Sequence, residues 1–255
     1  MINLETVTET MRQGGFVAAD EEARELVECS NGDAVLLAAL VDRRMNGEPL
    51  AWITGFSMFC GTRVKVSRGV YVPRWQSEPL ARRAASRLTV QGVAIDLCTG
   101  SGAIAKVLTA TRPQSRVVAT DIDEHAVACA AANGVEVYLG DLFSPLPQEL
   151  KGRVDVVVGV VPYVPTRSMA LLPHDTFVFE TVLSYDGGDD GTDVLRRVIE
   201  ESPRYLRSGG ALLLELGGDE AEILQDELQR NGFNDVTVVF DEEDDVRGIE
   251  ATYGR

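Results

Sequence analysis

The segment Val93-Ala-Ile-Asp-Leu-Cys98-Thr-Gly100-Ser-Gly102-Ala-Ile-Ala105 sets the architecture of this chain. An apolar run of strand character, VAIDLC, passes into a glycine-rich turn and then into residues at helical spacing. That is the one context in which such a loop brings backbone N–H groups and a positive helix end against a ligand. Gly100 and Gly102 lack a Cβ, so the chain can turn sharply and a ligand can lie on the backbone, although tight turns between strand and helix also use glycine for packing alone. Further apolar runs follow at 116–121 (RVVATD), 135–140 (VEVYLG), 154–161 (VDVVVGVV), 211–217 (ALLLELG) and 235–240 (DVTVVF), with a last short one at 249–253. Helical stretches lie between them at 102–110, 124–132, 192–206 and 219–230. This alternation predicts right-handed crossovers and an α/β fold with a doubly wound, mostly parallel, seven-stranded Rossmann-like sheet.

The chain ahead of this pattern is organised differently. Residues 1–48 read as a small helical cap, with apolar positions at helical spacing (Leu26, Val27, then Val35 to Val41) broken by Gly14-Gly15 and Asn31-Gly32. Residues 49–90 read as a β-hairpin, AWITGFSMF and TRVKVS separated by Cys60-Gly61, followed by a linking helix over 77–88. Residues 91–255 form the α/β unit.

Charge and composition exclude several classes. The chain has 255 residues, 45% of them hydrophobic and 25% charged, which is the balance of a globular protein that builds its own core. Its 24 Lys+Arg against 40 Asp+Glu give a net charge of −16, which repels a phosphate backbone and argues against a nucleic-acid partner. Arg63, Lys65, Arg68 and Arg74 lie close in sequence, but on a hairpin they read as a solvated face. No run approaches the roughly 18 apolar residues of a membrane span, and the N-terminus has no basic start with an apolar core, so a cytoplasmic protein with no membrane partner is expected. Cys29, Cys60, Cys98 and Cys129 are scattered without a C-x-x-C, which predicts reduced, mostly buried thiols and no metal site.

The loop's companions suggest its ligand. The second strand ends in Thr120-Asp121-Ile122-Asp123, where Asp121 is placed to accept both hydroxyls of a ribose. The third ends in Gly140-Asp141-Leu142-Phe143, a carboxylate and apolar edges suited to an adenine, though an acidic residue there also serves as a helix cap. A dinucleotide site favours G-x-G-x-x-G, whereas this loop reads G-S-G-A behind the acidic Asp96, which repels a pyrophosphate and suits an ammonium group. S-adenosylmethionine carries an ammonium, a ribose and an adenine in that order and is favoured over NAD. Asp96, Cys98, Thr99, Gly100, Gly102, Asp121, Ile122, Asp141 and Leu142 are its candidate contacts.

From Gly47 onward the chain resembles the HemK/PrmC family of protein glutamine N5-methyltransferases, class I methyltransferases, through GEPLAWITG, VYVPRWQSE, DLCTGSGAIA, VVPYVP, YDGGDDG and RYLRSGGALLLELG. The resemblance implies a helical cap and β-hairpin ahead of a seven-stranded methyltransferase sheet, with a cap shorter than is usual. The family carries an Asn-Pro-Pro-Tyr turn after the fourth strand, whose Asn side chain and following carbonyl hold the two amide protons of a glutamine. This chain has Val160-Val161-Pro162-Tyr163 there. Val160 offers no side-chain acceptor, while the Val161 carbonyl and the Tyr163 ring remain available. Where relatives have Glu-Pro-Arg before Ala-Leu-Asp-Gly-Gly, this chain has Glu180-Thr-Val-Leu-Ser-Tyr185-Asp186-Gly-Gly. His174, Glu180 and Asp186 fall on the loop expected to cover the substrate and are candidate acids, bases or orienting groups.

These features point to a methyltransferase acting on an acceptor other than glutamine, such as a small molecule of secondary metabolism, or a protein- or carrier-bound substrate. The alternatives are a fold reused for cyclisation or group displacement, a subunit in a homo- or heterodimer of biosynthetic function, and ordinary glutamine methylation of a release factor.

Overall fold

A computed structural model describes residues 3–171, 179–218 and 220–254. The N-terminal residues form three helices, α1 (Leu4–Gln13), α2 (Ala19–Ser30) and α3 (Ala34–Met45). Asn3 caps α1 by accepting from the Thr6 N–H, and Asp33 caps α3 by accepting from the N–H groups of Val35 and Leu36. Asn31, left-handed at φ 48°, ends α2. The apolar stripes of the three helices meet in a cluster of their own, with Val7, Met11, Leu26, Leu37 and Leu40 buried beside Ile53.

The expected hairpin is shorter than its sequence pattern. Leu50–Thr54 form a helical turn, α4, ended by a left-handed Gly55, and the strands β1 (Phe56–Phe59) and β2 (Thr62–Lys65) begin only after it. A five-residue apolar run carries no periodicity that separates strand from helix, and Pro49 with Gly55 frames a turn of helix here. Cys60 and Gly61, both at positive φ, close the hairpin in the twist that paired strands prefer.

After α5 (Glu78–Arg87) come β3 (Val93–Leu97), α6 (Ala103–Thr111), β4 (Arg116–Asp121), α7 (Glu124–Ala132), β5 (Glu136–Leu139), β6 (Val154–Gly159), α8 (Asp193–Glu201), β7 (Leu206–Glu215), α9 (Glu220–Arg230), β8 (Phe233–Phe240) and β9 (Val246–Tyr253). The helix expected over 192–206 stops at Glu201, because Pro203 cannot continue it, and β7 starts at Leu206. The sheet order is β5-β4-β3-β6-β7-β9-β8, parallel except that β9 runs antiparallel between β7 and β8. This is the doubly wound fold of class I methyltransferases.

The central strands are buried on both faces, as parallel strands between helices must be. On one face Ile95, Leu97, Val157, Leu212 and Leu214 pack with Leu195 and Ile199 of α8 and Leu224 of α9. On the other, alanines dominate: Ala94, Ala119 and Ala211 meet Ala81 and Ala84 of α5 and Ala103 and Ala105 of α6. Phe59 and Val64 of the hairpin complete that second cluster. Asn133 fastens the hairpin to the glycine-rich loop, since its side chain donates to the carbonyls of Lys65 and Ser101 and accepts from the Lys65 N–H.

Two expectations are corrected here. Of the four cysteines, all free, only Cys129 is fully buried; Cys29, Cys60 and Cys98 lie at or near element ends and are half-buried, each packed against the edge of a core cluster. Arg74 is not a solvated cation: it reaches Glu180 at 2.7 Å. Among the described residues, no helix is long and apolar enough to cross a membrane.

Candidate active site

The carboxyl ends of β3, β4, β5 and β6 open into a cavity of about 530 Å³, where a parallel doubly wound sheet leaves its crevice. The β3 loop forms one wall. Asp96, only 1% exposed, accepts from the Thr99 hydroxyl at 2.6 Å and from the Ala105 N–H at 3.0 Å, so one carboxylate ties the loop to the first turn of α6. Burial pushes the Asp96 carboxyl up to about 7, against the pull of those two hydrogen bonds. The sign of the linkage follows. A carboxyl whose folded value is raised holds its proton more tightly in the native than in the unfolded chain, so its contribution to stability is present at acid pH and is lost as pH rises toward 7. Relative to Asp96→Asn, the unmodified protein should therefore lose stability between pH 4 and 7. Urea midpoints of the two proteins across that range check this, and parallel curves would reject it.

Asp121 works on both sides of the loop. Its Oδ2 accepts from the Gly100 N–H at 2.8 Å and its Oδ1 from the Asp123 N–H at 3.0 Å, leaving lone pairs on each oxygen for ligand hydroxyls. Burial raises its carboxyl, with the backbone donors opposing. Ile122 stands beside it, 61% exposed, an apolar face in the cavity lining suited to a flat ring. Cys98, Thr99, Gly100, Asp141 and Leu142 also line the cavity, so most of the loop and strand-end candidates converge. Asp141 is held by Arg197 of α8 at 2.7 Å, a partner that no pattern in the 192–206 stretch announced.

Gly102 needs a correction. It does not line the cavity; a Cβ there would lie 2.9 Å from Val135 and 3.1 Å from Ala130, so this glycine is required by the packing of α7 beneath the loop.

The opposite wall carries the second set of candidates. Val160, Val161, Pro162 and Tyr163 leave β6 and line the cavity. Two glycines hold this turn from behind: a Cβ at Gly187 would sit 2.8 Å from the Tyr163 Cα, and one at Gly191 2.3 Å from the Tyr163 carbonyl oxygen. The Tyr-Asp-Gly-Gly segment is thus a backrest for Tyr163. Asp186 makes that turn, accepting from the Thr166 hydroxyl at 2.7 Å and the Gly188 N–H at 3.1 Å, which hold its carboxyl below the usual range. Its Oδ1 is occupied as a turn former, and the residue also lines the cavity. Glu180 does not line the cavity. Buried behind it, it accepts from the Val72 N–H at 3.1 Å, from Arg74 at 2.7 Å and from the Tyr185 hydroxyl, strapping the loop to the segment after the hairpin. His174 lies outside the described residues.

Tyr71, Arg74 and Ser77 from that segment also face the cavity. The sequence signal for them was VYVPRWQSE, a motif with no chemistry of its own. Glu215 was missed too: a single carboxylate in ALLLELG, it stands at the carboxyl end of β7 and accepts from the Tyr163 hydroxyl at 3.1 Å.

No protein-family model matches the chain. It is 34% identical over 221 residues to the release factor glutamine methyltransferase of Geobacter sulfurreducens, covering 84% of this chain and 75% of that protein. It is 32% identical over 271 residues to the release factor glutamine methyltransferase of Mycolicibacterium smegmatis, covering 98% of this chain and 96% of that one. The chain belongs to the protein glutamine methyltransferase family. The fold agrees: ribosomal protein L11 methylase of Lactobacillus delbrueckii superposes with a TM-score of 0.52 at 16% identity, over 75% of this chain and 86% of that one. As a glutamine methyltransferase homologue it is a transferase of the S-adenosylmethionine-dependent class. The likeness to the Mycolicibacterium relative runs through the helical cap, so a shortened cap does not set this chain apart from every glutamine methyltransferase.

The cavity fits the cofactor of the class. Asp121, Ile122 and Gly100 line it together, and they would hold the cofactor: Asp121 has free lone pairs for hydroxyls, Ile122 an exposed apolar face for a flat ring, and Gly100 no side chain in the way. When bound there, S-adenosylmethionine supplies the electrophilic methyl group. The lining residues would bind it and position an acceptor in line.

Proposed function

We propose that this chain methylates an acceptor other than a glutamine side chain, a small and largely apolar molecule. The observation that carries the reading is Val160. It lines the cavity at the first position of the turn where the family places asparagine, and it gives a substrate amide no hydrogen-bond acceptor. Losing a contact made in the transition state costs about 2.7 to 4 kcal/mol, roughly 100- to 1000-fold in rate. The mouth of the cavity supports the same reading, since Val182 and Leu183 line it and remain half or more exposed. Large apolar side chains left in solvent at a pocket entrance suit an apolar ligand.

The test is direct. The purified protein, incubated with S-adenosylmethionine and a peptide carrying Gly-Gly-Gln, is expected to give no product one methyl group heavier. Val160→Asn is expected not to restore that activity, because the strap through Glu180 still shapes the opposite wall. Binding of S-adenosylmethionine itself should persist, raising stability by about 2.7 kcal/mol at a ligand concentration 100 times Kd, seen as a higher unfolding midpoint. Efficient methylation of the peptide by the unmodified protein would establish ordinary glutamine methylation instead.

A further inference from the structure

The substituted turn leaves an accounting question at the reacting centre: which group accepts a hydrogen bond from the substrate when the Val160 side chain cannot, and which takes its proton? Tyr163 lines the cavity, and its hydroxyl donates to Glu215 Oε1 at 3.1 Å. With its proton committed to Glu215, the phenolic oxygen keeps its lone pairs for a donor on the cavity side. Glu215 is 5% exposed, with Ser77 close by, and its second oxygen, Oε2, is buried without a well-formed hydrogen bond among the described residues. An incompletely satisfied buried carboxylate is costly, and such groups persist where they serve a purpose. The ring is also fixed in place. Gly217 leaves room for it, since a Cβ there would lie 2.9 Å from Tyr163 Cε2, while Gly187 and Gly191 fit against its backbone.

We propose that Tyr163 and Glu215 are the proton-accepting pair of this site, and that the acceptor presents a hydroxyl or amine to the Tyr163 oxygen. This rests on the reading that glutamine is not the acceptor and narrows it to a substrate class. The acceptor's oxygen or nitrogen forms a bond to the methyl carbon as the carbon–sulfur bond breaks, with that electron pair staying on sulfur as a neutral thioether. The acceptor's proton passes to the Tyr163 oxygen while the tyrosine's own proton passes to Glu215. The sulfonium charge and the carboxylate charge disappear together. Burial holds the Glu215 carboxyl above the usual range, against the pull of Ser77, Tyr163 and Arg247, so it is a better proton acceptor than a solvated carboxylate. Tyr163 is the catalytic residue of the pair and Glu215 a positioning residue that acts through it.

The test uses the whole protein saturated with S-adenosylhomocysteine, which has no methyl to transfer. Affinities of 2-naphthol, 2-methoxynaphthalene and 2-naphthamide are measured by calorimetry. 2-Naphthol, which can donate to Tyr163, is expected to bind roughly tenfold more tightly than its methyl ether. Tyr163→Phe should bring that ratio close to one while leaving the affinity of the ether and of S-adenosylhomocysteine unchanged, which also reports that the variant folds. Glu215→Gln should erase most of that preference, because a glutamine amide can donate to the tyrosine oxygen and turn its hydroxyl into a donor toward the cavity, where the oxygens of naphthol and ether both accept. Equal affinities of 2-naphthol and its ether in the unmodified protein, or a preference that survives in Tyr163→Phe, would each overturn the proposal; 2-naphthamide, whose N–H also donates, should share the preference over the ether. Failure of the broader reading is seen separately, as methylation of the Gly-Gly-Gln peptide.

Discussion

Asp121→Ala is expected to weaken S-adenosylmethionine binding roughly 100-fold, about 2.8 kcal/mol, the largest single effect on the cofactor side of the cavity. Two losses combine. The ligand's hydroxyls lose a charged acceptor, and the Gly100 and Asp123 N–H groups lose the carboxylate that now positions them. The second loss was not foreseeable from a strand-end aspartate read only as a ribose contact. It means that the loop itself should loosen, so part of the lost affinity is the cost of ordering Gly100 on binding. Asp121→Asn retains one oxygen of similar reach and should lose only about tenfold. Calorimetric titration of both variants, with circular dichroism to confirm that the sheet is intact, checks the assignment. An alanine variant that binds within threefold of the unmodified protein would remove Asp121 from the cofactor site.

Gly191→Ala is expected to abolish activity and to destabilise the protein by more than about 2 kcal/mol, combining backbone strain with a collision. Gly191 has φ 81°, and its new Cβ would lie 2.3 Å from the Tyr163 carbonyl oxygen, backbone against backbone, where no side-chain rotation can relieve it. The turn bearing Val160 to Tyr163 must shift, and the tyrosine leaves Glu215. Gly32→Ala separates the two causes. Its φ is 83° and a Cβ there meets nothing within 4 Å, so it should show the strain alone, about 1 kcal/mol, with activity unchanged. Chemical denaturation of both variants gives the comparison. Equal destabilisation would show that contact with Tyr163 contributes nothing.

The strand and helix alternation from Val93 onward was legible because parallel strands between helices are apolar throughout and their turns carry glycine. That the loop and strand-end candidates share one cavity was legible for a related reason. Gly100, Asp121 and Asp141 end three successive strands, and sequence order fixes their proximity in a doubly wound sheet. The acceptor side was not. Tyr163 meets Glu215 from a strand 52 residues on, and Arg74 meets Glu180 across 106 residues, separations that no local pattern encodes. Glu180 and Asp186 drew attention as loop carboxylates, but in the folded chain Glu180 is engaged by Val72 and Arg74, and Asp186 Oδ1 by Thr166 and Gly188. Arg197 has no signal beyond lying on an amphipathic helix. Leu50–Thr54 misread as strand because five residues are too few to show a period.

The strap through Glu180 also bears on how the protein is made. Strands β3, β4 and β5 are consecutive and pair in sequence order, so a chain emerging from the ribosome has its nucleoside-binding half in hand once residue 141 is out. Arg74 and Val72 are synthesised early and must wait for Glu180, and Tyr163 must wait for Glu215. These closures are high in contact order, and loop-closure entropy opposes them until the later strands arrive. The donor half should therefore mature before the acceptor half, and the acceptor wall should be the first part to reopen under mild denaturant. Hydrogen exchange would show that order as early loss of protection at Val72 and Val164, ahead of Val118 and Val157.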